Sequence, residues 1–248
     1  MPRNKLSTLI KYPLASLPSA TGLATGTSFE ITDYGGNIAV AVNGQWRFEL
    51  PFRTTWANRP PVGLVPAGTE LQVTDYANQK WVSDGVSWRP AQGRVIIGNS
   101  VTPSVVTGAA DMMFTLATAT KKVPAGMVTP GSRMVCSAEF IKSGVGGALT
   151  PYIRFGTTGT YTDTSIYGVG YPNTNNLLGR MSSHILVGYD ESFICATSAV
   201  VSPGNGTQYQ QTPVNFNINA DMFMSVHIRG ANAADSFTLM STSIILEA

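Results

Sequence analysis

Four side chains in this 248-residue sequence could serve in soft metal ligation or in imidazole and thiol catalysis: His184, His227, Cys136 and Cys195. A zinc site needs three or four such ligands at short, regular spacing, and these four are scattered. Each histidine falls on the polar side of an alternating pattern, so solvated or hydrogen-bonded surface imidazoles are expected. The two cysteines are unpatterned; they pair only if the fold brings them together, and two buried thiols suit a protein made in a reducing bacterial cytoplasm. No serine or cysteine sits in a nucleophile-elbow context, and no Gly-rich phosphate loop opens a helix. Carboxylates are the remaining route to chemistry, because paired acids cleave glycosidic bonds. Asp33 and Asp75, however, occupy one repeated position, which suggests a turn role. Asp190-Glu191 reads as a solvated acidic pair, and Asp163 and Asp235 sit in turn sequences. The expectation is therefore a non-enzyme with no catalytic, cofactor-binding or metal-binding residues.

Aromatic residues are better candidates for binding, since sugars stack on Trp and Tyr, whose polar tips also form hydrogen bonds. Trp46, Trp56, Trp81 and Trp88 all lie in the first 90 residues and are expected to anchor small hairpins. Arg47 and Arg89 beside them are placed to stack, or to pair with Asp33 and Asp75. Further on, Tyr152, Tyr161, Tyr167, Tyr171 and Tyr189 accompany Asn- and Thr-rich loops. Loops 156–180 and 201–213 are the expected recognition surface, with Tyr161, Tyr167, Tyr171 and Tyr209 as binding residues.

The elements that position these residues follow from composition and repetition. Only 12% of residues are charged, about half the roughly 25% of typical soluble proteins, so 27 Thr and 21 Ser must cover much of the surface. Thr favours strands and Ser favours turns, and 25 Gly with 15 Pro interrupt the chain too often for long helices. The formal net charge of +2 gives no case for a nucleic-acid partner. No apolar stretch approaches 18 residues, so no membrane insertion is expected, and the N-terminus lacks the apolar core of a secretion signal.

An internal repeat organises the first third. Gly26-Thr27-Ser28-Phe29-Glu30-Ile31-Thr32-Asp33-Tyr34 matches Gly68-Thr69-Glu70-Leu71-Gln72-Val73-Thr74-Asp75-Tyr76 at an offset of 42. The same offset carries Trp46-Arg47 onto Trp88-Arg89 and Pro18 onto Pro60, while Asn43-Gly44 and Asp84-Gly85 correspond with a one-residue slip. Each copy reads as a β-hairpin whose turn is the Asn-Gly or Asp-Gly pair. Asp33, Tyr34, Trp46 and Arg47 are the structural anchors of one copy, and Asp75, Tyr76, Trp88 and Arg89 of the other. The expected organisation is a docking segment over 1–25, a first hairpin repeat over 26–50, a Pro-rich connector over 51–67, a second repeat over 68–98, and a larger domain over 105–248. A junction over 90–104 carries Val95-Ile96-Ile97. In the larger domain, Met134, Cys136, Ala138 and Phe140 alternate with polar residues, as do Met222, Met224, Val226 and Ile228. About eight strands are expected, among them 112–118, 149–155, 192–200 and 214–218. The fold class is all-β: two small N-terminal β-hairpin repeats followed by a C-terminal jelly-roll-like β-sandwich.

The segment from Thr74-Asp75-Tyr76 through Trp81-Val82-Ser83-Asp84-Gly85 to Trp88-Arg89-Pro90 resembles a module of bacteriophage tail-fibre and related structural proteins. The C-terminal domain is similar to a β-sandwich at the ends of such proteins, on Phe114-Thr115-Leu116, Val123-Pro124-Ala125-Gly126 and Asn232-Ala233-Ala234-Asp235-Ser236-Phe237-Thr238-Leu239. Together these cover about 170 residues. The resemblance implies a bacteriophage virion structural protein, often homotrimeric, assembled in the host bacterial cytoplasm. It would dock to other virion proteins through its N-terminal segment and contact a host surface glycan or protein as a tail fibre or receptor-binding adhesin. The alternative is a head-fibre, decoration or connector protein with a purely assembly role. The resemblance transfers no catalytic or binding residue.

Overall fold

Alternation in short runs gives strands with one buried face, and in the first 93 residues it does so twice. A computed structural model describes residues 9–101, 103–108, 111–114, 121–144, 148–168, 177–188, 193–198, 209–214 and 217–247. It divides into two units, Met1–Gly93 and Arg94–Ala248. The architecture is all-β, and no α-helix occurs among the described residues.

The first unit holds two four-stranded sheets. One is β1 (Lys11–Tyr12), β2 (Ser28–Ile31), β3 (Asn37–Val42) and β4 (Gln45–Phe48); the other is β5 (Phe52–Thr54), β6 (Glu70–Val73), β7 (Gln79–Ser83) and β8 (Trp88–Pro90). Each starts with a parallel pair and continues as an antiparallel meander. Lys11 pairs with Glu30 where Arg53 pairs with Gln72, again at an offset of 42. The repeating unit is thus larger than a hairpin. Residues 10–25, expected as a docking segment, supply the first strand and loop of copy one; residues 51–67, expected as a connector, supply those of copy two. The prolines fit because the loop is extended: Pro13 and Pro61 both lie in φ/ψ values near −60° and +140° that proline favours.

The second unit pairs two sheets. Its strands are β9 (Arg94–Ser100), β10 (Ser104–Thr107), β11 (Asp111–Met113), β12 (Lys121–Val123), β13 (Arg133–Ser143), β14 (Leu149–Gly156), β15 (Thr164–Gly168), β16 (Leu177–Val187), β17 (Phe193–Ser198), β18 (Tyr209–Val214), β19 (Met222–Gly230) and β20 (Ser236–Glu247). The larger sheet runs β10-β20-β13-β16-β17-β18 with β9 also on β20; the smaller runs β11-β19-β14-β15 with β12 also on β19. β9 and β10 share one side of β20, and β11 and β12 share one side of β19, so more segments occur than the eight expected. The chain crosses between sheets from β13 to β14 and from β19 to β20. The antiparallel pair β13/β20 therefore continues as β14/β19, a ribbon folded over the core in the jelly-roll manner. Met134, Cys136, Ala138 and Phe140 of β13 and Met222, Met224, Val226 and Ile228 of β19 are buried, as alternation requires. A buried hydrogen bond from Ser183 Oγ on β16 to the Ile166 carbonyl on β15 ties the sheets together (3.0 Å).

Several expectations change. The junction residues 94–100 are a sandwich strand, because Val95 and Ile97 turn inward onto the core. The strand expected at 214–218 lies earlier, at β18, since Asn217 closes a turn by accepting the Ala220 and Asn219 amides at 3.0 and 2.9 Å. Residues 115–118 of the strand expected at 112–118 lie outside the described residues. His227, expected on a solvated face, is buried with Ser225, whose Oγ is 3.0 Å from Nε2. β19 is central in its sheet and covered on both sides there, which alternation cannot reveal. Cys136 is buried on β13, and Cys195 is on β17 with β16 between them. Two strand spacings are about 9.6 Å, beyond the reach of a disulfide.

Candidate binding surfaces

In the second unit, the turn from β14 to β15 places a tyrosine at its tip and fastens it from below. Asp163, buried at the loop's base, accepts from the Thr158 amide and hydroxyl through Oδ1 (3.2 and 2.8 Å). Oδ2 accepts from the Gly159 and Thr160 amides (2.6 and 3.2 Å). The Asp163 carbonyl accepts from Arg154 Nη1 at 3.0 Å, and that guanidinium lies 5.1 Å from the Tyr152 ring centroid. Gly159 has a φ of 68°, a left-handed conformation that glycine adopts without strain. Gly156 packs so closely on Asp163 that a Cβ there would overlap the carboxylate. Above this staple the Thr158, Thr160 and Thr162 hydroxyls form a chain with 2.7 Å links. Tyr161 stands beside them at 67% exposure. The loop thus presents one aromatic face and a row of hydroxyls, already ordered, so little conformational entropy is lost when a ligand binds.

In the first unit, the two repeats meet along an open groove of about 450 Å³. Trp46, Arg47 and Glu49 line one side and Thr69 and Glu70 the other. Trp46 is half-buried; its Nε1 donates to the Pro18 carbonyl at 2.8 Å, and its ring lies 5.4 Å from Phe29. Below the groove, Phe52 of copy two is enclosed by Tyr34 and Phe48 of copy one, with centroids 5.0 and 4.6 Å away. Asn37 clamps the link between copies: Nδ2 donates to the Leu50 carbonyl (2.7 Å), and Oδ1 accepts the Leu50 amide (3.2 Å).

Six of the expected repeat anchors, Asp33, Asp75, Trp46, Trp88, Arg89 and Tyr34, make contacts within the first unit that the sequence left open. Asp33 Oδ1 accepts the Leu14 amide and Asp75 Oδ1 the Trp56 amide, each at 3.0 Å. These carboxylates therefore hold the first loop of each copy and do not pair with Arg47 or Arg89. Arg89 instead pairs with Asp84, Nε to Oδ2 at 2.5 Å, and Arg47 is exposed in the groove. Trp88 Nε1 donates to the Pro60 carbonyl at 3.0 Å, matching the Trp46–Pro18 bond. Burial, with the negative charge of Asp33 beside it, pushes the Tyr34 hydroxyl above its ordinary pKa. Tyr76 is half-buried. Of the expected binding residues, only Tyr161 is placed in full. Tyr167 is in β15 and Tyr209 opens β18, with side chains outside the described residues, and Tyr171 lies outside them altogether. Sequence reasoning missed the staple function of Asp163; the run Gly156-Thr157-Thr158-Gly159-Thr160-Tyr161-Thr162-Asp163, small and hydroxylated up to one acid, was its signal. It also missed Glu49 and Glu70, which come together only through the repeat contact. Among the described residues, no group of three or more His, Cys, Asp or Glu side chains could hold a metal ion.

No family model matches the chain. No curated protein matches it. Among solved structures, it is similar to a protein of unknown function from Shewanella oneidensis MR-1, with 11% identity and a TM-score of 0.29 over 64% of this chain and 80% of that one. It is also similar to the CBM2 module of the evolved Dit of Lactobacillus casei BL23 phage J-1, with 7% identity and a TM-score of 0.32 over 61% of this chain and 95% of that one. A legume lectin-like domain from Entamoeba histolytica gives 9% identity and a TM-score of 0.23, over 61% of this chain and 83% of that one. Likenesses this distant carry no functional argument.

Proposed function

We propose that the chain is a structural component of a bacteriophage particle, acting as a tail-fibre or receptor-binding adhesin that contacts the host surface. The setting comes from the resemblance of residues 74–90 and of the C-terminal sandwich to such proteins. The adhesive role rests on one observation: the stapled loop that holds Tyr161 at 67% exposure beside three linked threonine hydroxyls. An exposed tyrosine contributes nothing to the core, whereas a rigid aromatic face flanked by hydroxyls suits a polyhydroxylated or peptide surface. Purified, fluorescently labelled protein should bind susceptible bacteria saturably and a receptor-deficient strain not at all. Tyr161→Ala, expected to fold normally because the ring packs on little, should weaken that binding at least tenfold. No binding by the intact native protein would instead favour a head-fibre, decoration or connector role.

A further inference from the structure

The larger sheet of the sandwich turns one face to the core and leaves the other in solvent, and that outer face carries an ordered pattern. Strand register sets Val105, Thr238, Ile141 and Leu178 side by side across β10, β20, β13 and β16. Val105 is 58%, Ile141 37% and Leu178 71% exposed. Six residues back along β13 a second apolar row crosses the same sheet, Val135 beside Ile245 and Ile245 beside Ile96. Among the described residues, eleven large hydrophobic side chains are exposed, and five of them (Ile96, Val105, Ile141, Leu178 and Leu186) share this face. They are therefore concentrated there, and concentrated apolar exposure marks an interaction surface. Between the rows lies a polar band. Ser137 and Ser243 hydroxyls are 2.7 Å apart, Glu139 accepts from Ser241 at 3.2 Å, and Arg180 Nε stands 3.7 Å from Glu139.

We infer that this face is a contact between copies of this chain. The order of its bands is the first reason. Between its polar ends at Arg133 and Ser143, the outward positions of β13 run apolar, polar, apolar (Val135, then Ser137 and Glu139, then Ile141), and a two-fold contact needs such a pattern because it lays one patch on itself. Rotation about the centre of the band places each apolar row on the other row of the second copy. It also brings Ser137 and its β16 neighbour Ser182 over Glu139 and Arg180, so hydroxyls meet charges and like charges do not meet. Area is the second reason. Eleven residues of β13 across four strands span about 36 by 19 Å, roughly 700 Å², close to the ~800 Å² per partner of a specific interface. A glycan would not use the aliphatic rows, and an acidic or basic partner would find little net charge here.

Sedimentation velocity of the full chain at micromolar concentration tests the inference, with Leu178→Glu and Val105→Glu beside it. Both positions are exposed, so the variants should keep the native circular dichroism and melting temperature; Leu178→Ser replaces the first if it does not fold. The native protein should sediment as an oligomer, and each substitution should raise its dissociation constant at least tenfold. A native monomer throughout that range would overturn the inference. So would a dimer or trimer that survives both substitutions.

Discussion

The two repeats of the first unit share a backbone plan and fill it differently. Three struts recur at an offset of 42: aspartate to the first loop, tryptophan to proline, and Gly26 to the Ala41 carbonyl as Gly68 to the Ser83 carbonyl, both at 2.8 Å. The cores do not recur. Copy one has Leu14 and Ala39 where copy two has Trp56 and Trp81, whose rings lie 4.7 Å apart, with Arg59 stacked 4.2 Å over Trp56. Copy one instead groups Tyr12, Phe29 and Trp46, from β1, β2 and β4. Polar struts to the backbone need exact positions, whereas apolar volume can move between positions if the total is kept. The repeated residues therefore mark hydrogen bonds, and the varied ones mark packing.

That division is easiest to break at position 81. Trp81→Ala puts in copy two the residue that copy one carries there, but without the compensating aromatics of copy one. It should cost about 3–5 kcal/mol, as large-to-small changes of buried aromatics do. Part of the loss is offset because the Trp81 Nε1 has no hydrogen-bond partner. All four tryptophans lie in the first unit, so tryptophan fluorescence during urea unfolding reads this unit alone. A change below 1 kcal/mol would mean that copy two, like copy one, can fill its core from elsewhere.

How far the sequence exposed this plan follows from the same distinction. Pro18 with Pro60 and Trp46 with Trp88 stand out as matched pairs, yet nothing local says that each proline carbonyl receives its tryptophan. The parallel strand pair was illegible for a related reason. β1 has two residues, too few to show a period, and its partner lies 19 residues on. Long alternating runs such as β13 and β19 were legible, because one face of each meets the core over nine residues or more. His227 was misplaced where β19 is buried on both faces. The exposed loop position of Tyr161 was legible because loop aromatics are visible in sequence; its staple, Asp163, was read only as a turn residue.

Smaller effects should appear at the turn after β2 and β6. Copy one uses Gly35 and Gly36 with φ of 65° and 74°, while copy two holds Ala77 and Asn78 at 53° and 57°. Asn tolerates the left-handed region, but Ala is strained there. Ala77→Gly should stabilise the unit by about 1 kcal/mol, and Gly35→Ala should destabilise it by about as much. Nothing lies within 4 Å of where a Cβ on Gly35 would stand, so the effect should be conformational and not steric. Opposite signs in the same unfolding assay would support equivalence of the two turns; equal signs would break it.

The smallest difference concerns the hairpin tips, where the expected slip is no insertion. Ala41 pairs with Trp46 and Ser83 with Trp88, keeping the offset of 42, so Val42 in copy one corresponds to Asp84 in copy two. Copy one turns on Asn43 and Gly44, both at positive φ (52° and 76°). Copy two turns on the Asp84 side chain, which accepts the Val86 and Ser87 amides at 2.8 and 2.6 Å. Partial burial pushes the Asp84 carboxyl up, but hydrogen bonds from Arg89, from those two amides and from the Ser87 hydroxyl outweigh it and hold the pKa well below the ordinary 3.8. A carboxyl depressed in the folded state binds fewer protons there than when unfolded, so stability rises with pH across that window. Its contribution is complete above about pH 5 and fades as pH falls below the ordinary carboxylate range. The Asp84–Arg89 pair is over a third exposed at the arginine, so the effect should be only about 0.2–1 kcal/mol. In NMR spectra the Val86 and Ser87 amides should shift as the pH is lowered, while the Gly44 amide of copy one stays put. Asp84→Asn should abolish that shift, and its stability deficit should disappear in acid. A shift that persists in the variant would assign the titration to another group and leave the two tips alike in their response to pH.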